Sequence, residues 1–194
     1  MIVGLTGHSG SGKTTVAHFF AGYGFCHIDC DNVVHTRVYT DPAVHDALSS
    51  VFGDGIVKNG EIDRRALARV IFSDEKQYNN LMITVKPFID ATIRKIIDEC
   101  GDQPVLVDAP ALFEYGMQDL CDITVGVISD DAVARIVARD NISEDEAAAR
   151  LAHQQSHDFY KKNCDYVIEN NGSLCDLEAA VKDICTEIMK GDGV

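Results

Sequence analysis

The segment with the clearest chemistry is a glycine-rich stretch near the start of the chain. Residues 7–14 read GHSGSGKT and match the pattern G-x-x-x-x-G-K-[ST] at every fixed position. Such glycines permit backbone turns that direct N–H groups inward, and a following helix adds attraction for phosphate. Lys13 would contact the β- and γ-phosphates of ATP, and the Thr14 hydroxyl would bind Mg²⁺. The predicted nucleotide-binding residues here are Gly7, Gly10, Ser11, Gly12, Lys13, Thr14 and Thr15.

Three aspartates are candidates for proton transfer and metal binding. Asp29 and Asp31 follow the apolar run 25–28 and stand two residues apart, so one would be the base for an incoming hydroxyl and the other would lie near the metal. Asp108 follows another apolar run, at a position typical of a metal-associated carboxylate. The alternatives are structural: Asp31 as the N-cap of a helix, and Asp108 in a turn before Pro110.

A pair of arginines four residues apart is a further candidate set. Arg135 and Arg139 would lie on one face of a helix, from which both guanidinium groups would close over a triphosphate and neutralise its charge. The alternative is a solvated face that pairs with neighbouring aspartates. His153 and His157 have the same spacing, but no third ligand is apparent, so we expect solvated side chains and no zinc site.

Alternating strand and helix patterns must position these groups. Buried strands are predicted at 2–6, 25–28, 104–107, 121–128 and 166–169. Helices are predicted at 13–21, from 32 onward, and at 43–52, 63–72, 75–100 with an interruption at Pro87, 130–139, 143–155 and 174–189. In open parallel sheets, ligands bind beyond the carboxyl ends of strands, where the candidate residues fall. We therefore predict an α/β fold of the P-loop nucleoside-triphosphate hydrolase type, with three layers and a parallel sheet.

We expect a single kinase domain, 1–194, with two specialised parts. The first is the insertion 32–103, which is mainly helical without a strong strand pattern and would form the substrate lobe. The second is the segment 130–157, where two helices would be joined by a tight turn at Asn141. A capping box of Ser143 and Glu146 would begin the second helix, and the pair would form a lid.

Composition restricts the class of partner. The formal net charge of −14 argues against a general role on nucleic acid or at a membrane surface, so we expect a small-molecule substrate. Seven cysteines without a CxxC pair predict reduced thiols and no disulfide framework. The sequence contains no signal-peptide pattern and no apolar stretch of membrane-spanning length, which predicts a cytoplasmic protein.

Several segments occur in an order that is more specific than a phosphate loop alone. They are GLTGHSGSGKTTVA from Gly4, IDCD from Ile28, FGDGIV from Phe52, IDRRAL from Ile62, VDAPALFE from Val107, ISEDEAAARLAHQ from Ile142 and CDYVIENNG from Cys164. In this order they resemble the dephospho-coenzyme A kinase family over nearly the whole chain. The resemblance implies a parallel core, a helical coenzyme A lobe after the second strand, and a mobile lid that carries arginines.

The resemblance also implies roles for individual residues. Asp31 looks like the catalytic base for the ribose 3′-hydroxyl, with Asp29 beside it, and Arg139 resembles a lid arginine on ATP. Asn170 and Gly172 look like part of the loop on the adenine side. The implied catalytic residues are Asp31, Lys13 and Arg139, with Arg135 as a nucleotide contact and Asp108 with Thr14 at the metal. The implied substrate-side residues are Asp29, Asp31, Lys86, Pro110, Leu112 and Glu114.

This chain departs from the family pattern at three places. His8-Ser9 stands where the family usually has Gly-Ile, Lys86-Pro87 stands where it has His-Pro, and Ala138 replaces a residue that is commonly polar. Lys86 would still supply positive charge to an anionic substrate.

The favoured hypothesis is a kinase that uses ATP and Mg²⁺ to phosphorylate the 3′-hydroxyl of dephospho-coenzyme A in the last step of coenzyme A biosynthesis. Two alternatives stay open: another small-molecule or nucleotide kinase of this fold, and a nucleotide-dependent switch or binding protein.

Overall fold

The computed structural model describes residues 1–58, 60–71 and 74–191. Among the described residues, the chain forms two compact units. One comprises Met1–His27 with Asp102–Val194, and the other comprises Ile28–Gly101. The division into core, substrate lobe and lid stays a prediction.

A parallel sheet is the scaffold for the predicted site. The strands of the structure are β1 (Ile2–Gly7), β2 (Cys26–Asp29), β3 (Val57–Lys58), β4 (Glu61–Ile62), β5 (Val105–Asp108), β6 (Ile123–Ile128) and β7 (Tyr166–Glu169). The sheet has the order β2-β5-β1-β6-β7, and β1 pairs in parallel with both β5 and β6. Because β1 is central and flanked on both sides, the loop that follows it opens at the carboxyl edge of the sheet.

Helices connect and cover these strands. They are α1 (Lys13–Gly22), α2 (Cys30–Val33), α3 (Pro42–Phe52), α4 (Arg64–Ile71), α5 (Glu75–Glu99), α6 (Ala132–Asp140), α7 (Glu144–Ala152), α8 (His157–Asn163) and α9 (Leu174–Gly191). A π-helical turn at Val34–Val38 continues α2, and 3₁₀ turns lie at Asp54–Ile56 and Met117–Leu120. Strands that alternate with helices confirm the predicted α/β class.

The core of the first unit lies between the sheet and helices α1 and α9. Val3 and Leu5 of β1 are completely buried, as expected of a strand that has neighbours on both sides. They belong to one apolar cluster with Phe20 of α1 and Val181 of α9. Burying side chains of this size contributes about 1.5–3 kcal/mol each, so this cluster holds the strand before the glycine-rich loop in place.

The second unit contains a correction to the predicted helices. A break was expected at Pro87, but α5 is one helix from Glu75 to Glu99 with that proline inside it. Its buried side chains are Leu81, Val85, Ile89 and Ile93. They recur every four residues on one face, and their packing outweighs the proline penalty of about 3 kcal/mol. Within the described residues this unit also has a short β3–β4 ladder, which the sequence did not predict; Phe72, the predicted end of α4, lies outside them.

The segment predicted to form the lid differs from the prediction at its end. The turn at Asn141 is confirmed, with the residue in the left-handed region at φ 53°, and Ser143 and Glu146 form the expected capping box. The helix expected to reach Gln155 ends at Ala152, and α8, which was not predicted, begins at His157. Ser156 caps α8 by accepting from the Phe159 N–H at 3.2 Å, so a new helix replaces the continuation.

The cysteines follow the prediction only in part. Among the described residues the free thiols are Cys30, Cys121, Cys164, Cys175 and Cys185. Cys26 and Cys100 are disulfide-bonded, so the expectation that every thiol is reduced is wrong for these two. Burial raises the pKa of the Cys121 thiol to about 12, which keeps it protonated.

The helices were also compared with the requirements of a membrane span. No helix among the described residues is long and apolar enough to cross a membrane.

Candidate active site

The glycine-rich loop lies between β1 and α1, as its sequence predicts. Gly12 precedes α1 with φ 94°, and a Cβ there would approach the Asn170 Nδ2 to 2.2 Å. Gly10 has φ 76°, and its Cβ would lie 2.6 Å from the Ala132 carbonyl oxygen. Both positions therefore require glycine for backbone conformation and for space. The loop is enclosed by β6, β7 and α6 residues that lie far from it in sequence.

Asn170 is the residue that anchors this loop. Its side-chain Nδ2 donates to the Ser11 carbonyl oxygen at 2.8 Å, and the side chain is buried. Its own carbonyl oxygen accepts from Arg135 Nη2 at 2.8 Å and from Ser129 Oγ at 2.9 Å. Arg135 is thus held beside the loop, and within the described residues no aspartate forms an ion pair with it, so the alternative of a solvated ion pair does not describe it there.

Lys13 lies at the other side of the loop in a buried ion pair. Its Nζ contacts Asp108 Oδ1, and Asp108 Oδ2 lies 3.2 Å from His27 Nε2. The register of β1 and β5 places Asp108 opposite Leu5, one strand away from the loop. Both carboxylate oxygens therefore have partners, and Asp108 holds Lys13 where a phosphate would compete for it.

Two side chains of the predicted lid segment, 130–157, contact the loop at Ser9. Arg139 Nη2 donates to Ser9 Oγ at 3.2 Å, and the Ser9 N–H donates to Gln154 Oε1 at 2.7 Å. Asp140 binds Arg139 through Nε at 2.7 Å and also contacts Arg150. The hydrogen bond from Arg139, helped by Arg150, lowers the pKa of Asp140 to about 2. Arg139 therefore combines the pairing expected of a solvated face with a contact to the phosphate loop.

His8 joins the loop to β6 and α8. Its Nε2 accepts from the Ser129 N–H at 3.1 Å, and its Nδ1 lies 2.9 Å from the Ser9 carbonyl oxygen. The His157 ring stacks on it with centroids 5.0 Å apart. Both imidazoles border a cavity of about 450 Å³ between the lid and the end of β6. The sequence did not single out His8 for a role, since its position in the motif accepts any residue.

Sequence comparison supports the assignment that the loop suggests. A family model described as Dephospho-CoA kinase matches residues 1–176. The chain belongs to this family. A dephospho-CoA kinase from Bacillus licheniformis is 36% identical over 185 residues, which are 92% of each protein. The predicted family and the predicted kinase class are therefore confirmed.

Comparison of folds gives the same answer for the architecture. The crystal structure of TT1252 from Thermus thermophilus has a TM-score of 0.81 and 32% identity, and it covers 96% of this chain and 97% of its own. A dephospho-CoA kinase from Campylobacter jejuni has a TM-score of 0.70, 24% identity and 98% coverage of both chains, and at that identity the likeness shows the fold alone. The predicted P-loop fold class is confirmed.

Within this family member, the predicted residues after β5 have structural contacts. Pro110 accepts a hydrogen bond from Thr6 Oγ1 at 2.9 Å through its carbonyl oxygen. Leu112 is completely buried, and a Cβ on Gly4 would lie 2.9 Å from it, so its side chain packs in the core. Glu114 is exposed and accepts from Gln155 Nε2 at 3.1 Å. Their assignment to the substrate stays a prediction.

The second unit carries the remaining predicted substrate-side residues. Asp29 is the N-cap of α2 and accepts from the Asn32 N–H at 2.9 Å. The capping alternative was considered for Asp31, but the N-cap is Asp29, and Asp31 lies in the first turn of the helix and is exposed. Lys86 Nζ pairs with Asp90 at 2.7 Å along α5. The catalytic role of Asp31 stays a prediction.

The remaining loop and nucleotide-side residues differ in exposure. Thr14 is exposed, and the Thr15 N–H donates to the Gly12 carbonyl oxygen at 2.9 Å. The buried Ser11 hydroxyl has no hydrogen-bond partner within the described residues. Gly172 is exposed, and a Cβ there would meet Asp176 at 2.8 Å.

The histidine pair and the search for metal ligands bear on the zinc alternative. His153 ends α7 and His157 begins α8, so the expected single helical face does not exist. No group of three or more His, Cys, Asp or Glu side chains that would hold a metal ion occurs among the described residues.

Sequence reasoning missed His8, His27 and Gln154 as site neighbours. Each contacts a partner at least 81 residues away: His27 reaches Asp108, His8 reaches Ser129, and Gln154 reaches Ser9. The sequence signal that could have indicated these residues is weak: each is a polar side chain inside or next to a motif, at a position that the motif does not specify. The sheet order is needed to bring them together.

Proposed function

We propose that this chain transfers the γ-phosphoryl group of ATP to the ribose 3′-hydroxyl of dephospho-coenzyme A, giving coenzyme A. This would be the last step of coenzyme A biosynthesis, carried out in the cytoplasm on a free small molecule. The observation that carries the proposal is the folded GHSGSGKT loop, with Lys13 poised on Asp108, in a chain that matches the family over residues 1–176.

Charge neutralisation is the main task of the nucleotide side. Lys13 exchanges the Asp108 carboxylate for the β- and γ-phosphates, and the inward N–H groups of the loop bind the same oxygens. Arg139 is exposed, and it donates to Asp140 through Nε and Nη2 and to Ser9 through Nη2, so it turns from Ser9 to the triphosphate as the lid closes. Arg135 contributes a second positive charge from beside Asn170. In phosphoryl transfer such positioning and electrostatics supply most of the catalysis.

The donor set fits magnesium. Thr14 offers an exposed hydroxyl and Asp108 a carboxylate, and Mg²⁺ is normally held by one or two protein oxygens together with substrate phosphates. Departure of Lys13 to the phosphates would leave one oxygen of Asp108 available. Thr14 and Asp108 would therefore hold the ion, which supplies neutralisation of charge on the transferred group.

Asp31 is the proposed general base. Its neighbour Asp29 accepts the Asn32 N–H and is committed to capping α2. Asp31 lies in the first turn of that helix, after the capping residue, and is exposed. A carboxylate in hydrogen-bond reach of the acceptor hydroxyl would take its proton as the phosphoryl group arrives.

Lys86 and the segment after β5 complete the proposal on the acceptor side. Dephospho-coenzyme A is anionic, and Lys86, which is paired with Asp90 at 2.7 Å, would exchange that carboxylate for a substrate phosphate. Pro110, Leu112 and Glu114 would shape the wall beside the acceptor, with Leu112 acting through packing.

The direct test is acceptor-dependent release of ADP. Wild-type protein with ATP and Mg²⁺ is expected to release ADP only when dephospho-coenzyme A is added, with one phosphorylated product formed per ADP. A panel of nucleosides, shikimate-like and sugar hydroxyl acceptors tests the other kinase classes. Slow hydrolysis that ignores every acceptor would instead support a nucleotide-dependent switch.

A matched pair of variants tests the base. Asp31→Asn keeps size but cannot accept a proton, so kcat is expected to fall by about 10²-fold or more with little change in the KM for ATP. Asp29→Ala removes a helix cap, so it should lower thermal stability more than kcat. If Asp31→Asn loses stability and turnover in the same proportion as Asp29→Ala, the assignment of the base is wrong.

A further inference from the structure

The contacts of His8 are compatible with only one protonation state. The Ser129 N–H is a backbone donor that lies 3.1 Å from His8 Nε2, so this nitrogen must be an unprotonated acceptor. The proton then resides on Nδ1, which donates to the Ser9 carbonyl oxygen at 2.9 Å. His8 is therefore neutral, with both ring nitrogens bonded to backbone groups.

The bonds of His8 to Ser9 and to Ser129 both act at the start of the glycine-rich loop. The bond to Ser9 orients the peptide that follows His8, and Ser9 is also the residue that the lid contacts through Gln154 and Arg139. The bond to Ser129 anchors the loop to the end of β6, where Ser129 Oγ in turn donates to Asn170. His8 thus connects the start of the loop to the same residues that anchor its middle.

We propose that the neutral imidazole of His8 is a positioning group for the phosphate loop, and that its protonation releases the loop and lowers affinity for the nucleotide. The proposal rests on the proposed use of ATP, and it adds that pH regulates the binding of ATP. It assigns no proton transfer in the reaction itself to His8.

Protonation would break the bond between His8 and Ser129. A proton on His8 Nε2 would face the Ser129 N–H, so two donors would meet where one bond is now made. A backbone donor that is left without its acceptor costs more than the loss of the bond alone. His157 Nε2 lies 3.1 Å from the same nitrogen, so this contact would also have to change. The stacked His157 ring would have to move, and α8 begins at that residue.

The surroundings favour the neutral form. Burial lowers the pKa of His8 below its ordinary value of 6.5. The hydrogen bond to the Ser9 carbonyl opposes this shift, and the nearby His157 adds a smaller lowering. The titratable or charged side chains around this ring are His157 and Tyr160 of α8, Asp130 after β6, and Arg139 beside Ser9. Asp130 faces His157, 3.7 Å from its Nδ1, and burial raises the pKa of Tyr160, so that ring stays neutral.

The sign of the effect follows from this shift. Above pH 6.5 His8 is neutral whether or not nucleotide is bound, so affinity should be constant. As the pH falls through the lowered pKa of His8, the nucleotide-free protein takes up a proton that binding must expel, so affinity for the nucleotide falls. One proton can change affinity by at most about tenfold per pH unit in that range.

The test compares binding of a non-hydrolysable ATP analogue with Mg²⁺ between pH 8 and 5.5 by calorimetry. Wild type should lose affinity relative to His8→Gln as the pH falls, because the glutamine amide oxygen accepts from Ser129 at every pH. The ratio of the affinities of the two proteins cancels the effect of titration of the analogue itself. His153→Gln, which removes an exposed imidazole four residues before His157, should behave like wild type.

His8→Ala should bind weakly at every pH, and the glutamine variant should restore binding. Thermal unfolding of each protein checks the fold, and the wild-type and glutamine pair decides the matter even if the alanine variant is unstable. A constant ratio of affinities from pH 8 to 5.5 would overturn the positioning role. Absence of binding by wild type at pH 8 would instead overturn the proposed nucleotide use.

Discussion

The two ends of the phosphate loop are held in different ways. The outer end, Gly7–Ser9, is contacted by lid and α8 side chains, through Arg139, Gln154 and His157. The inner end, Gly12–Thr14, is contacted by Asn170 and by the carboxylate that binds Lys13. One end is thus bound by a segment expected to move, and the other by the central sheet.

The contacts at the outer and inner ends of the loop differ in the exposure of their side chains. The side chain of Arg139 is 58% exposed, whereas that of Asp108 is 7% exposed. Exposed polar pairs contribute little and are screened by salt, so the outer contacts can be exchanged for a nucleotide at small cost. The inner contacts lie in a low-dielectric interior and fix the geometry that the chemistry requires. The outer end therefore suits closure, and the inner end suits catalysis.

The largest expected effect is at the outer end, from Arg139→Ala. An arginine that meets developing charge in phosphoryl transfer contributes about 10³ to 10⁵ in rate, so kcat should fall by about 10³ while nucleotide binding remains measurable. Arg150→Ala is the matched control, because Arg150 also binds Asp140, and within the described residues no hydrogen bond joins it to the loop. Equal losses of kcat in the two variants would show that Arg139 acts only as a member of a surface ion pair.

Limited proteolysis extends that prediction to the lid. Cleavage near Asn141, the left-handed turn between α6 and α7, should slow when ATP analogue and Mg²⁺ are added to wild type. The protection should weaken in Arg139→Ala and persist in Arg150→Ala. Cleavage that is equally fast with and without nucleotide would contradict closure of the lid.

At the inner end, Lys13→Met should lower kcat by about 10²- to 10³-fold, because the lysine neutralises the transferred group at a water-poor site. The folded state should persist, since His27 still lies 3.2 Å from Asp108. Kinetics together with circular dichroism measure the two outcomes, with Lys162→Ala as an exposed lysine control. Native-like circular dichroism with unchanged turnover would rule out this lysine as the phosphate contact.

A smaller effect is expected from Asn170→Ala. The variant loses the 2.8 Å bond to the Ser11 carbonyl oxygen, and one such bond corresponds to about tenfold in affinity. The KM for ATP should therefore rise about tenfold, with kcat less affected. Asn171→Ala is the control from the same loop, because Asn171 pairs with Asp130 and not with the phosphate loop. A similar KM for both variants would remove Asn170 from the nucleotide site.

The smallest effect concerns stability and pH at the outer end. Because the folded pKa of His8 is lowered, its contribution to stability is complete above pH 6.5 and is lost as the pH falls through the lowered value. Wild-type protein should lose more in melting temperature than His8→Gln between pH 7.5 and 5.5. Parallel decreases in the two proteins would show that His8 does not couple to folding.

Many features of the fold could be read from the residues because their signals are local. The glycine pattern before α1, the capping box of Ser143 and Glu146 and the left-handed turn at Asn141 depend on residues within a few positions of each other. Predictions failed where packing at a distance outweighed a local rule. Pro87 remains inside α5 because apolar side chains on one face of that helix are buried.

The sequence by itself determined the phosphate loop, the family and the five strands of the main sheet, because a motif and its flanking periodicity are properties of consecutive residues. Only the tertiary structure decided which distant side chains hold that loop. The partners of Ser11, Lys13 and His8 come from other strands and helices, as many as 159 residues away. Parallel strands bring their carboxyl ends to one edge whatever their separation in the chain. The hydrogen bonds that hold the loop form only when these strand ends lie side by side, and no pattern of consecutive residues predicts which ends do so.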